Sequence, residues 1–276
     1  TIKGKGHEPA ENAQTDWHSV SYVKINPLKS ESLAIKPLKF QEVFGHTLLE
    51  LAEKDHLVLG ITPAMPSGSS MKIMMDAMPT RVFDVGIAEQ HAVTFAAGLA
   101  LEGKRPFCNI YSSFAQRAYD QIIHDVALQN IPVIFCLDRA GLVGADGPTH
   151  HGTFDLAFLN AIPNLTILSP MDEHELRNMM YWAVDYIGGP IVIRYPRGSG
   201  SKLEYKNEIQ QLKIGSSRTL TSGSKLAILS MGQIGIEVQK AISNNQLEGN
   251  VTHVDARSVP HTHLTLPTTP TAITSS

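Results

Sequence analysis

The sequence has 276 residues, of which 42% are hydrophobic and 18% charged, so it can bury the core of one large or two modest domains. A formal net charge of −3 gives no general positive field, which argues against nucleic acid or an anionic membrane surface as a partner. No apolar run reaches the roughly 18 to 20 residues of a membrane-spanning helix, and the first residues lack the apolar core of a signal peptide, so the cytoplasm is the expected location.

Residues 1–37 are polar, show little helical period and contain Pro27. We expect them to be the end of a preceding domain followed by a linker. The pattern changes at Leu38, because apolar residues then recur at helical spacing and an apolar run from Leu57 to Ile61 follows them. A helix followed by a strand is therefore predicted at the start of the next domain.

Strands and helices alternate through residues 38–200. The predicted strands are Val82–Val85, Phe107–Tyr111, Val133–Leu137 and Ile191–Tyr195, with helices over residues 88–101 and 116–128. A further helix is predicted to start near Pro170, with Ser169 as a candidate cap. Such uniformly apolar strands are typical of a parallel sheet covered on both faces, so the fold class is α/β.

A second, smaller α/β unit is predicted over residues 201–259. Its first part, up to Gly223, is polar and irregular, after which LAILSMG, IGIEVQKAI and VTHVDARSV repeat the order strand, helix, strand. One such unit cannot bury both faces of its sheet, so this domain is expected to be partial. Residues 260–276 are rich in Thr, Pro and Ser, which predicts a disordered or artefactual tail.

The two cysteines, Cys108 and Cys136, lie in apolar strand-like runs without metal or redox spacing. We expect both to be buried and reduced.

Glu89 lies in the first turn of a predicted helix whose later positions are mostly small. On position alone, a favourable interaction with the helix dipole is the simpler explanation for this carboxylate. However, the runs NIYSSFAQRAYDQ, LDRAGLVGADGPTHHG and RYPRG each follow a predicted strand of the same sheet. Open α/β sheets bind ligands at that edge, so an active site is predicted there.

The segment from Gly141 to Gly152 contains four glycines around Asp146, His150 and His151. Glycines suit a chain that needs unusual backbone angles near a ligand, although a flexible surface turn would also use them. Two adjacent histidines beside an aspartate favour the ligand site.

A family resemblance becomes specific at this point. The runs DVGIAEQHAVTFAAGLA, IYSSFAQRAYDQIIHDVALQN, LDRAGLVGADGPTHHG and IRYPRG resemble, in this order, the pyrimidine-binding domain of 1-deoxy-D-xylulose-5-phosphate synthases. These enzymes are a branch of the transketolase superfamily. The resemblance covers roughly residues 1–255, and KGKGHEPAE is similar to the end of the family's preceding domain.

The resemblance implies an enzyme that joins pyruvate to D-glyceraldehyde 3-phosphate, with loss of carbon dioxide, using thiamine diphosphate. The product feeds non-mevalonate isoprenoid (terpenoid) synthesis and the thiamine and pyridoxal precursors. Glu89 takes the role of the carboxylate that hydrogen-bonds the cofactor's aminopyrimidine ring. Tyr111 and Phe114 match the aromatic positions beside that ring, and His7 stands where the family commonly has an aromatic residue.

The resemblance also assigns substrate contacts. Arg139 and Arg197 match the family's phosphate-binding arginines, and Arg117 is a weaker third candidate. Asp146 and His150 match positions near the acceptor's hydroxyls and the reacting carbons, and so does His18. One of these is expected to donate a proton to the new alkoxide.

No metal ligand is predicted in this sequence, because a GDG motif followed by asparagines is missing from it. Magnesium and the cofactor's diphosphate are therefore expected in a domain before Thr1, and the complete enzyme is expected to be a homodimer. Two alternatives stay open. One is another thiamine enzyme, either a transketolase or the beta subunit of a 2-oxoacid dehydrogenase, and the other is a non-catalytic fragment.

Overall fold

The computed structural model describes residues 4–12, 17 and 36–260, and the chain divides into two units, 1–36 and 37–276. In the first unit, helix α1 spans Glu8–Asn12, and the rings of His7 and Trp17 meet edge to face with centroids 4.9 Å apart. His18 and the tail 261–276 lie outside the described residues.

The second unit contains ten strands and seven helices within the described residues. The strands are β1 Val58–Thr62, β2 Val82–Asp84, β3 Arg105–Tyr111, β4 Ile134–Asp138, β5 Thr166–Leu168, β6 Ile191–Arg194, β7 Arg218–Thr221, β8 Leu226–Ser230, β9 Val251–Asp255 and β10 Ser258–Pro260. The helices are α2 Phe40–Lys54, α3 Lys72–Ala77, α4 Glu89–Leu101, α5 Tyr119–Gln121, α6 Asp155–Leu159, α7 Glu173–Asp185 and α8 Ile234–Asn244. A 3₁₀ turn, Phe114–Ala118, precedes α5 and a π-helical turn, Ile122–Ala127, follows it.

Seven strands form the main sheet in the order β10-β5-β6-β4-β3-β1-β2. All neighbours are parallel except β10, which runs antiparallel to β5. Successive residues of the central strands enter two different apolar cores, because side chains alternate across a sheet. In β3, for example, Phe107 packs with α2 and α7, whereas Cys108 packs with α4 on the opposite face. The predicted α/β fold, with helices on both faces of a mostly parallel sheet, is confirmed.

The smaller sheet has the order β7-β9-β8, with α8 between β8 and β9 in sequence. Buried charges connect this sheet to α7. The guanidinium of Arg218 contacts Asp255 at 3.1 Å and Glu175 at 3.3 Å, and Arg257 contacts Glu175 at 2.8 Å. The network ties β7 and the residues between β9 and β10 to α7, and removing Arg218 would leave the buried carboxylate of Asp255 without this partner.

Three local predictions were wrong. The helix expected near Pro170 begins at Glu173, because Asp172 caps it by accepting a hydrogen bond of 3.0 Å from the Glu175 amide. The helix expected over residues 116–128 is broken into the 3₁₀ turn, α5 and the π-helical turn. The region 201–223, expected to be irregular, contains β7, which pairs with β9.

Cys108 and Cys136 are buried and free, as predicted. Burial raises the pKa of the Cys108 thiol to about 12, so that thiol stays protonated and unreactive near neutral pH. Among the described residues, no helix is both long enough and apolar enough to cross a membrane.

Candidate active site

Three neighbouring strands deliver polar side chains to one edge of the sheet. The strands β3, β4 and β6 are adjacent and parallel, so their carboxyl ends meet at that edge. Tyr111 is the last residue of β3, Arg139 follows β4 directly, and Arg197 lies three residues after β6. Open α/β sheets bind their ligands at this edge. The structure places the residues predicted to follow these strands there.

An aromatic surface lies at this edge. The rings of Tyr111 and Phe114 are stacked, with centroids 5.5 Å apart and planes 13° from parallel. The His150 ring meets Phe114 edge to face at 5.3 Å. Burial raises the pKa of the Tyr111 hydroxyl, so this group is neutral and can donate a hydrogen bond at physiological pH.

Two arginines face one carboxylate. Asp146 Oδ2 lies 2.8 Å from Arg197 Nε and 3.8 Å from Arg139 Nε. The Arg139 guanidinium also lies over the Tyr111 ring, 4.3 Å from its centroid. Two positive charges around one acceptor group make a site suited to an anion with several oxygens, such as a phosphate.

Glu89 is the first residue of α4 and is only 4% exposed. Its Oε2 atom lies 3.5 Å from Nη1 of Arg117, whose side chain is largely exposed. An ion pair with one exposed partner contributes little to stability. A buried carboxylate held this loosely is available to a ligand that offers it a better hydrogen bond.

The loop that carries Asp146 and His150 is closed by two hydrogen bonds of 2.8 Å between the backbones of Gly141 and Gly152. A Cβ atom at Gly152 would lie 2.4 Å from the Arg139 carbonyl oxygen and 2.4 Å from Ser112 Oγ, so this position requires glycine. The closure brings the loop back against the residues that follow β3 and β4.

His150 and His151 differ in their surroundings. The Nδ1 atom of His151 accepts a hydrogen bond of 3.1 Å from the Val143 amide, so this ring supports the loop. His150 lies against Phe114 and its Nδ1 atom contacts the Thr149 hydroxyl at 3.0 Å. The structure therefore brings His150, rather than His151, to the aromatic surface.

The structure brings together eight of the ten residues predicted for the site, in two groups. One group comprises Tyr111, Phe114, Arg139, Asp146, His150 and Arg197. Glu89 forms the second group with Arg117, which was predicted as a weaker candidate for phosphate binding and whose Nη1 atom lies 3.5 Å from this carboxylate. His7 belongs to the first unit, and His18 lies outside the described residues.

Sequence reasoning missed two carboxylates that support this edge. Asp138 is fully buried at the end of β4 and contacts Arg139. Burial raises the pKa of Asp138 to about 7, although the Arg139 guanidinium opposes that rise. Asp155 is bound by both ends of the Arg194 guanidinium, at 3.0 and 3.1 Å, and accepts a hydrogen bond of 3.0 Å from Ser112. The sequence did offer a signal for Asp138, which is a charged residue directly after an apolar run.

Residues 4–12, 17 and 36–260 contain no group of three or more His, Cys, Asp or Glu that could hold a metal ion.

Residues 36–202 match the family described as "Transketolase, pyrimidine binding domain". The chain belongs to the transketolase family. The matched residues include Glu89, Arg139, Arg197 and the aromatic surface.

Curated relatives of the chain are named as one kind of enzyme within this family. The chain is 54% identical to a 1-deoxy-D-xylulose-5-phosphate synthase of Bacteroides thetaiotaomicron, over 93% of this chain and 40% of that protein. It is 57% identical to the synthase of Parabacteroides distasonis, over 88% of this chain and 39% of the relative. The chain therefore spans about 40% of the length of the curated relatives it matches.

Solved structures agree with the fold. A structure described as "Split gene transketolase, inactive beta4 tetramer" matches with a TM-score of 0.70 and 26% identity, over 80% of this chain and 71% of that chain. A transketolase from Leishmania mexicana matches with a TM-score of 0.70 at 20% identity, over 84% of this chain and 36% of that chain. The second likeness supports the fold alone.

Proposed function

We propose that this chain forms the pyrimidine-side half of the active site of a 1-deoxy-D-xylulose-5-phosphate synthase. The reaction joins pyruvate to D-glyceraldehyde 3-phosphate with loss of carbon dioxide. One observation carries the proposal: two arginines converge on Asp146 beside a stacked aromatic pair, in a chain more than half identical to named synthases. Only one of the two substrates carries a phosphate, and this edge of the sheet offers a phosphate site.

The residues present fit one part of thiamine diphosphate. Glu89 would hydrogen-bond a nitrogen of the aminopyrimidine ring, because within the described part of the chain its buried carboxylate is paired only with an exposed arginine. Phe114 would stack on that ring, as it already stacks on Tyr111. When bound, the cofactor supplies a nucleophilic carbon for attack on pyruvate. His7 is proposed as a further ring contact.

Magnesium and the diphosphate are proposed to bind in the part of the longer relatives that lies outside the match. Magnesium prefers oxygen ligands such as carboxylates, and the described residues of this chain contain no group of three or more His, Cys, Asp or Glu that could hold a metal ion. A cofactor site divided between two domains follows from this proposal.

The acceptor would bind through its phosphate to Arg139 and Arg197. The bound phosphate would replace Asp146 as the partner of both arginines. Asp146 would then be free to accept hydrogen bonds from the acceptor's hydroxyl groups. His150 would hold a proton near the oxygen that becomes a new hydroxyl, and His18 is proposed for the same region. Arg117 is better placed to orient Glu89 than to bind the phosphate, because it contacts that carboxylate at 3.5 Å.

We further propose that the enzyme is a homo-oligomer and supplies isoprenoid and thiamine precursors. The oligomer is supported by the similar structure described as a beta4 tetramer, and by the exposed apolar side chains of Ile87, Leu142 and Phe154. The cytoplasmic location stays a prediction.

The phosphate site can be tested in a full-length hybrid enzyme, in which residues 36–202 of this chain replace the matching segment of the Bacteroides thetaiotaomicron relative. Replacing Arg139 or Arg197 by Ala should raise the KM for D-glyceraldehyde 3-phosphate by about tenfold or more, because a charge-assisted hydrogen bond contributes roughly 1.5 to 3 kcal/mol. The KM for pyruvate should change far less. Equal effects on both substrates would contradict the assignment.

A further inference from the structure

Arg139 has an unusual backbone conformation. Its φ of 61° lies in the left-handed region, which is unfavourable for a non-glycine residue because Cβ comes too close to the following carbonyl oxygen. Such a conformation persists only where the surroundings hold it. Here it lets the side chain fold back, so that Asp138 accepts hydrogen bonds from both the Arg139 amide, at 2.7 Å, and Nη1, at 2.5 Å.

The pair of Asp138 and Arg139 does not connect distant parts of the fold. Burying a carboxylate costs free energy unless it is paired, and the partner here is the adjacent residue. By contrast, the equally buried pair of Asp155 and Arg194 joins the start of α6 to the end of β6. A buried pair between neighbours contributes little to tertiary structure, so its effect is on the local orientation of the guanidinium.

Three contacts define the orientation of the Arg139 guanidinium. Nη1 of Arg139 is bound by Asp138 and also donates a hydrogen bond of 2.9 Å to the Gly68 carbonyl oxygen. The guanidinium plane lies over Tyr111. Its Nε atom is buried and has no hydrogen-bond partner among the residues that the structure describes, and it lies 3.8 Å from the carboxylate of Asp146. An unpaired donor on a buried cation, aimed at an anion position, is suited to an incoming oxyanion.

We propose that Asp138 is a positioning residue, which locks the Arg139 guanidinium so that Nε–H faces the phosphate of the acceptor. This inference rests on the proposed function, because that function assigns the phosphate to Arg139 and Arg197. Asp138 itself touches no substrate. Without Asp138, Nη1 of the guanidinium would keep only its hydrogen bond to the Gly68 carbonyl oxygen. The Arg139 amide would also lose the carboxylate that accepts its hydrogen bond.

The test uses the whole chain, labelled with ¹⁵N, and inorganic phosphate as the probe. Nuclear magnetic resonance follows the Arg139 Nε–H signal during the titration, with Arg139→Lys used to assign it. The unmodified chain should show a saturable shift. Asp138→Asn, which keeps the size of the side chain, should weaken phosphate binding by about tenfold or more, as loss of a charge-assisted hydrogen bond implies.

The matched control is Asp255→Asn, because it removes an equally buried carboxylate, in the smaller sheet, whose partner is Arg218. This variant should lower thermal stability and leave the phosphate affinity within twofold of the parent. A titration of Asp138→Asn within twofold of the parent would overturn the positioning role. No response from the unmodified chain would instead remove the phosphate site, and with it the proposed function.

A second measurement needs no variant. If Asp138 and Gly68 lock Nη1, rotation of the Arg139 guanidinium is slow and its η protons give separate signals. Arg117, whose side chain is 62% exposed, should give averaged signals in the same spectrum. Averaged signals from Arg139 would overturn the proposal even if Asp138→Asn failed to fold.

Discussion

Glu89 and Glu102 lie at opposite ends of the same helix. Comparing them tests whether Glu89 acts on the cofactor or is only a charge at a helix end. Glu89 is buried at the first position of α4, whereas Glu102 is exposed just after its last residue. A charge that only serves the helix dipole should be replaceable at small cost, roughly 0.3 to 1 kcal/mol. A carboxylate that acts on the cofactor should not be replaceable without a large loss of turnover.

We therefore expect Glu89→Gln to lower the turnover of the hybrid enzyme by about 100-fold or more, because an amide cannot take up the proton that a carboxylate exchanges with the pyrimidine. Circular dichroism should show an unchanged fold. Glu102→Gln should leave turnover within twofold. Activity of Glu89→Gln within a few-fold of the parent would make Glu89 a structural charge.

Glu50 provides a test of pH dependence away from the site. The hydrogen bond from Arg177 lowers the pKa of Glu50 from 4.5 to about 2, and it joins α2 to α7. Because the folded-state pKa is depressed, the stabilisation is complete above about pH 4.5 and is lost as the pH falls towards 2.

Glu50→Gln should thus lower the free energy of unfolding by about 1 to 2 kcal/mol at pH 7, after allowance for solvent screening. The difference from the parent should shrink at pH 3. Denaturant unfolding at both pH values measures it, with the exposed Glu53→Gln on the same helix as the control. A difference that is the same at pH 7 and pH 3 would show that the ion pair does not control this stability.

At the scale of elements, two glycines give opposite expectations for the same substitution. Gly152→Ala should destabilise the loop that carries Asp146 and His150, because its Cβ would meet Ser112 and the Arg139 carbonyl. Gly98→Ala should stabilise the protein by roughly 0.5 to 1 kcal/mol, because Gly98 lies in α4 with open space around it. Thermal unfolding of both variants compares them directly. Stabilisation by Gly152→Ala would contradict the described loop closure.

The elements show which parts of the fold the sequence could predict. Strands β3, β4 and β6 were predicted because each is mostly apolar. The residues that follow them were recognised as site candidates because open α/β sheets bind ligands where such strands end. The true cap of α7 is Asp172, and the choice between it and Ser169 depends on backbone angles that composition does not encode. The antiparallel addition of β10 depends on contacts with β5, which lies more than 80 residues earlier.

The site itself was only partly predictable. The pattern of residues after the strands indicated which side chains meet, but it could not show that Asp146 lies between Arg139 and Arg197. That arrangement requires the closure at Gly152. Nor could it show that Asp138 binds its own neighbour, because the contact depends on the left-handed backbone of Arg139.

At the scale of the whole molecule, we expect the cofactor site to be divided between two domains. The chain alone should bind thiamine diphosphate no more tightly than millimolar, because charged contacts to the diphosphate dominate affinity for this cofactor. The hybrid enzyme should bind it in the micromolar range when magnesium is present. Calorimetric titration of both proteins checks this, and micromolar binding by the chain alone would show that the site is not divided.

The most direct measurement of the proposed function is a product assay on the hybrid enzyme with two alternative donors. Supplied with pyruvate and D-glyceraldehyde 3-phosphate, it should release carbon dioxide and form 1-deoxy-D-xylulose 5-phosphate, and Glu89→Gln should abolish both. Supplied with a ketose phosphate donor and an aldose phosphate acceptor, it should transfer no two-carbon unit. Transfer from the ketose would assign the chain to a transketolase activity, and a failure to condense pyruvate with the aldehyde would contradict the synthase.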